Sequence, residues 1–172
     1  EENAWQANIL VLAAAWMNLA NALLDSTLSD RLAEARAAAR ESLAVVVAEE
    51  TTDPVAAELG LKARRVWCDA IGQLLVANTT ALSPDALAAE AGDAVDDALA
   101  LARRWETRGV RSFRPVAARL FYFGAQLCRL HQPQFLAEFL LEHLDPVRTP
   151  DARPEASGLE VAAAAVTQAL RD

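Results

Sequence analysis

An all-α chain of antiparallel helical hairpins is the fold this sequence predicts, on three observations. Helix formers dominate its 172 residues: 39 are Ala and 25 are Leu, against one Tyr, six Gly and seven Pro. Apolar residues recur with a period near 3.6 through most of the chain, and β-branched clusters such as Val45-Val46-Val47 fall inside that period. The pattern is broken only by short polar or proline-bearing segments of the kind that end and start helices. With 53% apolar and 23% charged residues the chain is not disordered, and its length suits one compact unit with a real core.

Each element follows from its ends. The first helix covers about residues 4–25 and stops at Asp25-Ser26-Thr27. The second runs from Ser29 or Asp30, as cap, to Glu49. Thr51-Thr52-Asp53-Pro54 supplies a cap and a proline at the first helical position, opening a third helix that reaches about Asn78. Ser83-Pro84-Asp85 repeats that signal for a fourth helix, which runs to Thr107 and stops at Gly109. A fifth spans from near Ser112 to Leu130, and His131-Gln132-Pro133 turns into a sixth that Asp145-Pro146 closes. The hairpins are thus about 4–49, 54–107 and 113–145, within a unit of residues 1–146. A Pro-rich linker, 147–157, leads to Ser157-Gly158-Leu159-Glu160, a capping-box spacing that opens a C-terminal helix over 158–172.

Two cysteines 60 residues apart, Cys68 and Cys128, form neither a disulfide framework nor a zinc motif, and both fall in apolar helical patterns. Buried free thiols in a reducing, cytoplasmic setting are expected. The stretch from Asn3 to Leu24 has no charged residue and is long enough to span a bilayer. Gln6, Asn8, Asn18 and Asn21 interrupt it, so it reads as a buried helix and no membrane insertion is expected. The net charge of −8 conceals a basic band: Arg103, Arg104, Arg108, Arg111, Arg114, Arg119 and Arg129 face Glu106 alone over residues 103–129. Pairing of those arginines with neighbouring acidic helices is preferred to an acidic partner.

A repeat is present. Ala20, Gly72 and Gly124 stand 52 residues apart, each inside an odd-numbered helix. Trp16, Cys68 and Leu120 precede them by four; Leu19, Ile71 and Phe123 by one; Leu23, Leu75 and Leu127 follow by three. A small residue lets a paired helix approach, and bulky neighbours fill the groove beside it. Trp16–Leu23, written W-x-x-L-A-x-x-L, followed by the Ala-rich segment Glu34–Ala44, resembles a tetratricopeptide repeat. Glu90–Leu99 resembles the second helix of another unit, and Leu136–Pro146 a degenerate third. The spacing exceeds the family's 34 residues because the helices are longer. The resemblance implies a right-handed superhelix of about three hairpins plus a capping helix, acting as an adaptor that holds a protein or peptide in its concave groove.

Enzymatic chemistry is disfavoured. His131 and His143 have no metal-ligand neighbours at helical spacing, the six glycines form no phosphate loop, and no nucleophile–base constellation is apparent, so no metal or cofactor is expected. His143, in a last helical turn, and the Asp96-Asp97 pair read as solvated. A pI near 4.8 opposes nucleic acid. What remains is protein recognition. The resemblance puts the groove at Met17, Asn18 and Asn21 in the first unit, Asp69 and Gln73 in the second, and Phe121, Tyr122 and Arg129 in the third. The polar members would bond an extended peptide backbone, with Met17 and Phe121 as apolar anchors. Ala14, Met17 and Asp69 stand where a carboxylate-gripping groove needs cations, which argues against that subclass. The alternatives are a self-associating homodimer through Trp5, Ile9 and Leu12, and a small-molecule pocket near Trp67 and Tyr122.

Overall fold

The computed structural model describes residues 2–25, 29–77 and 82–144. Among them are six α-helices, one short 3-10 turn and no strand. The helices are α1 (Glu2–Leu24), α2 (Ser29–Val46), α3 (Pro54–Ala77), α4 (Pro84–Thr107), α5 (Arg114–His131) and α6 (Leu136–Leu144), with the 3-10 turn at Pro133–Phe135. The linker and C-terminal helix expected over 147–172 lie outside the described residues.

The expected ends are visible as hydrogen bonds. Ser83 Oγ accepts the Ala86 N–H at 3.1 Å, and Asp53 Oδ1 accepts that of Val55 at 2.8 Å. After α4, Gly109 takes φ +85°, its N–H bonds Glu106 O, and Val110 N–H reaches back to Trp105 O. That pair of bonds is a Schellman motif, which needs the left-handed residue that glycine supplies. Val110 completes it by packing into the same apolar cluster as Trp105. Two boundaries differ from expectation. α2 ends at Val46 because the following turn carries Glu50 inward, and α5 begins at Arg114 because Phe113 is buried ahead of it.

Consecutive helices run antiparallel. Ser42 Oγ on α2 donates to Ala13 O on α1 at 2.8 Å, while Ala20 meets Ala38 and Ala39 further along. On α3 and α4, Leu61 shares a cluster with Ala98 to Trp105, and Leu74 with Leu87 and Ala88. The odd helices lie side by side and parallel: α1 packs on α3, and α3 on α5. α2 covers α1 and α3, α4 covers α3 and α5, and α6 covers α5. Trp67, half-buried on α3, touches three of the apolar clusters and joins them into one core.

The small-residue column marks the close approaches. A Cβ on Gly72 would stand 3.0 Å from the Phe123 ring of α5, and one on Gly124 would stand 2.6 Å from Phe139 and 2.9 Å from Val95. Ala20 is fully buried. The expectation of a buried first helix is corrected: Ala13 and Ala20 are covered, but Val11, Leu12 and Leu19 are 69%, 50% and 45% exposed. α2 and α3 cover one side of α1 and leave the other open. The segment Ala7–Leu24 is long and apolar enough to cross a membrane by length and composition.

Candidate functional site

A chain of polar side chains crosses the three odd helices on one face. Asn21 of α1 donates through Nδ2 to Met17 O at 3.0 Å and accepts at Oδ1 from Arg65 of α3 at 3.3 Å. Arg65 stands 3.5 Å from Asp69 Oδ2, one helical turn on, and Arg119 of α5 donates to that same oxygen at 3.2 Å. Burial raises the Asp69 carboxyl above its usual value, with Arg119 and Arg65 pulling the other way. Two arginines thus share one partly desolvated carboxylate, with the Arg119 side chain largely exposed and that of Arg65 mostly covered.

The sequence-derived groove residues divide around this chain. Asn21 and Asp69 are members of it, and Arg119, read from sequence as part of the basic band, belongs beside them. Met17 is half-buried, Gln73 and Arg129 are exposed, and Tyr122 is 45% exposed three residues beyond Arg119 on α5. Asn18 is exposed on the outer side of α1. Phe121 is the correction. It is fully buried, stacks on Phe139 of α6 with ring centroids 5.6 Å apart, and offers no anchor to a ligand. Ala70 of α3 and Ala125 and Cys128 of α5 are buried as well. α5 packs against α3, α4 and α6, so its exposed stripe is Arg119, Tyr122 and Arg129, with Gln126 half-buried among them, rotated from the register shared by its own small residue.

The arginines do not make one basic surface. Arg103 donates to Glu142 O and to His143 Nδ1, Arg108 to Thr51 O while lying over the Trp105 ring, and Arg114 to Glu106. Arg104 and Arg111 are exposed. These contacts tie helix ends together, Arg114 through a carboxylate but Arg103 and Arg108 through backbone carbonyls rather than the acidic side chains expected from sequence.

Three polar nodes escaped sequence reasoning. Glu90 of α4 receives Arg36 of α2 and, at 2.6 Å, the Trp67 indole N–H, while Arg40 lies 5.5 Å over the Trp67 ring. Burial alone would raise the Glu90 carboxyl, but the bonds from Arg36 and Trp67 outweigh it and hold it below its usual value. His143, expected to be solvated, is buried: its Nδ1 accepts from Arg103 at 2.9 Å, so Nε2–H donates to Asp96 at 3.0 Å. Asp96 thus anchors α6 to α4 rather than merely meeting water. The third node is the bidentate pair of Arg64 with Glu50, only 3% and 9% exposed. None has a sequence signal, because partners 14 to 54 residues apart follow no helical spacing.

Trp67 and Tyr122 do not share a pocket. Trp67 is packed and hydrogen-bonded as above, and Tyr122 points outward. A recess of about 320 Å3 lies instead among α4, α5 and α6, lined by Asp93, Asp96, Glu138 and Glu142 over Leu127 and Phe139. Among the described residues, no group of His, Cys, Asp and Glu is arranged to hold a metal. Both thiols are free and buried. Burial pushes the Cys68 thiol far up, aided by Asp69 and Glu90 against Arg64, and raises that of Cys128, with Asp96 adding to the effect. Native protein at pH 8 is therefore expected to leave dithiobis(nitrobenzoate) unreacted, and denatured protein to consume two equivalents. Rapid release of nitrothiobenzoate from the native protein would refute that burial. No protein-family model, curated protein or solved structure matches this chain.

Proposed function

We propose that the chain is a tetratricopeptide-like right-handed stack of three helical hairpins, a non-catalytic module that binds an extended protein segment along the shared face of α1, α3 and α5. One observation carries the reading. Three parallel helices from three hairpins present polar side chains in a row, from Asn21 through Arg65 and Asp69 to Arg119. An extended backbone needs donors and acceptors at intervals along its length, and such a row supplies both. Exposed Gln73, Tyr122 and Arg129 flank the row and offer an amide, an aromatic platform and a cation.

The test is selection of a displayed random-peptide library on immobilised protein. Peptides sharing a sequence pattern are expected to bind wild type and to lose about tenfold or more in affinity to a Gln73→Ala/Tyr122→Ala/Arg129→Ala variant. All three side chains are exposed, so the variant should melt as wild type does. Failure to enrich any pattern, or binding indifferent to the triple substitution, would overturn the assignment.

A further inference from the structure

We infer that the outer face of α1 is the contact between two copies of this chain, paired antiparallel about a two-fold axis at Ala15. The exposed positions of the helix over residues 8–22 are Asn8, Val11, Leu12, Ala15, Asn18, Leu19 and Ala22. They form one stripe at three- and four-residue steps over four helical turns, and none is charged. The open positions of α2, by contrast, include Asp30, Arg31, Glu34, Arg40 and Glu41, an ordinary solvated face. In a molecule of net charge −8, a charge-free stripe is a surface on which two copies can meet without direct repulsion.

Shape and area both favour a second copy. Positions 8, 11, 12, 15, 18, 19 and 22 are symmetric about 15, so a two-fold there maps the stripe onto itself. Leu19 then faces Val11, Leu12 faces Asn18, and Ala15 meets its own copy. An isologous contact requires that self-match, and the smallest residue sits where the helix axes cross. From their exposures, Val11, Leu12 and Leu19 leave about 300 Å2 open, and the full stripe offers on the order of 500 Å2 per copy. Two copies would bury about 1,000 Å2 together, the lower bound for a specific interface, so the dimer is weak. The repeat points the same way. Phe123, in the same column as Leu19, is covered by packing on Gly72 of the preceding odd helix, whereas Leu19 remains open. Leu12 belongs to the face anticipated from sequence as well, whereas Ile9 does not reach it, because it packs inward with Ala13, Val46 and Ala56; the Trp5 side chain lies outside the described residues.

Sedimentation velocity over a wide concentration range tests the proposal. Wild type is expected to pass from monomer to dimer with a midpoint in the micromolar range or above. Ala15→Glu would place two carboxylates on the axis and hold the protein monomeric, with unchanged circular dichroism and melting at low concentration. Ala15→Cys is expected to form a disulfide-linked dimer under mild oxidation, while Ala44→Cys, on the open side of α2, is not. A wild type that stays monomeric throughout overturns the inference. So does a dimer that survives Ala15→Glu, or monomers that bind phosphatidylcholine vesicles through this face.

Discussion

Glu50→Ala is expected to be the most damaging single substitution away from the apolar core, at about 3–5 kcal/mol. Both terminal guanidinium nitrogens of Arg64 bond the Glu50 carboxylate, at 2.7 and 2.9 Å, and neither side chain has meaningful access to water. Arg64 Nε is buried without a hydrogen-bond partner, so loss of the carboxylate strands the whole cation. A second contact holds the same turn between α2 and α3: the Trp105 indole of α4 donates to the Glu50 main-chain O at 2.8 Å. Gly60 makes room for the pair: a Cβ there would lie 2.6 Å from Glu50 Oε2. Urea unfolding measures the loss, and a fall in Tm of about 10 °C accompanies it at this chain length. The Glu50→Leu/Arg64→Met double variant should recover most of the stability, since it removes both desolvated charges together. Recovery would assign the cost to the stranded charge; an equally unstable double variant would assign it to packing and refute this account.

The same Gly→Ala change is expected to act with opposite sign at two buried or half-buried helix positions. Gly124→Ala forces a methyl to within 2.6 Å of Phe139 Cζ and 2.9 Å of Val95 Cγ1. Phe139 is held by the Phe121 ring on one contact and by His143, 4.6 Å away, on another, so it cannot withdraw cheaply. Overpacking of about 1–3 kcal/mol outweighs the roughly 1 kcal/mol that alanine contributes to a helix interior, and α6 loosens first. At Gly92 a Cβ meets nothing within 4 Å. Gly92→Ala should therefore stabilise the protein by about 0.5–1 kcal/mol. Thermal melts of the two variants, read in parallel, decide it. A raised Tm for Gly124→Ala would show that the α4–α5–α6 approach does not constrain residue 124, and a lowered Tm for Gly92→Ala would show that residue 92 is not open.

Helix ends were legible because their chemistry is local. Ser83 bonds a residue three positions on, and the Gly109 stop uses bonds spanning three to five residues. The 52-residue column was legible for a related reason: wherever helices approach closely a small residue must stand, and Ala20, Gly72 and Gly124 do. The candidate site was legible only in part. Asn21 and Asp69 lie on the shared odd-helix face, yet Arg65, which connects them, was not singled out, and Phe121 faces the core. His143 reads as solvated in sequence, but with α6 folded against α4 it is buried and bonds Asp96, 47 residues away and itself still exposed.

By itself, then, the sequence determined that this chain is helical, where most described helices begin and end, and where they pack tightly. The tertiary structure alone decided which side of each helix faces outward. Alanine explains the difference. It is small and only weakly apolar, so Ala-rich helices carry little contrast between faces, and their rotation is set by where a few large side chains, such as Trp67, Phe121 and Phe139, find small neighbours to pack against.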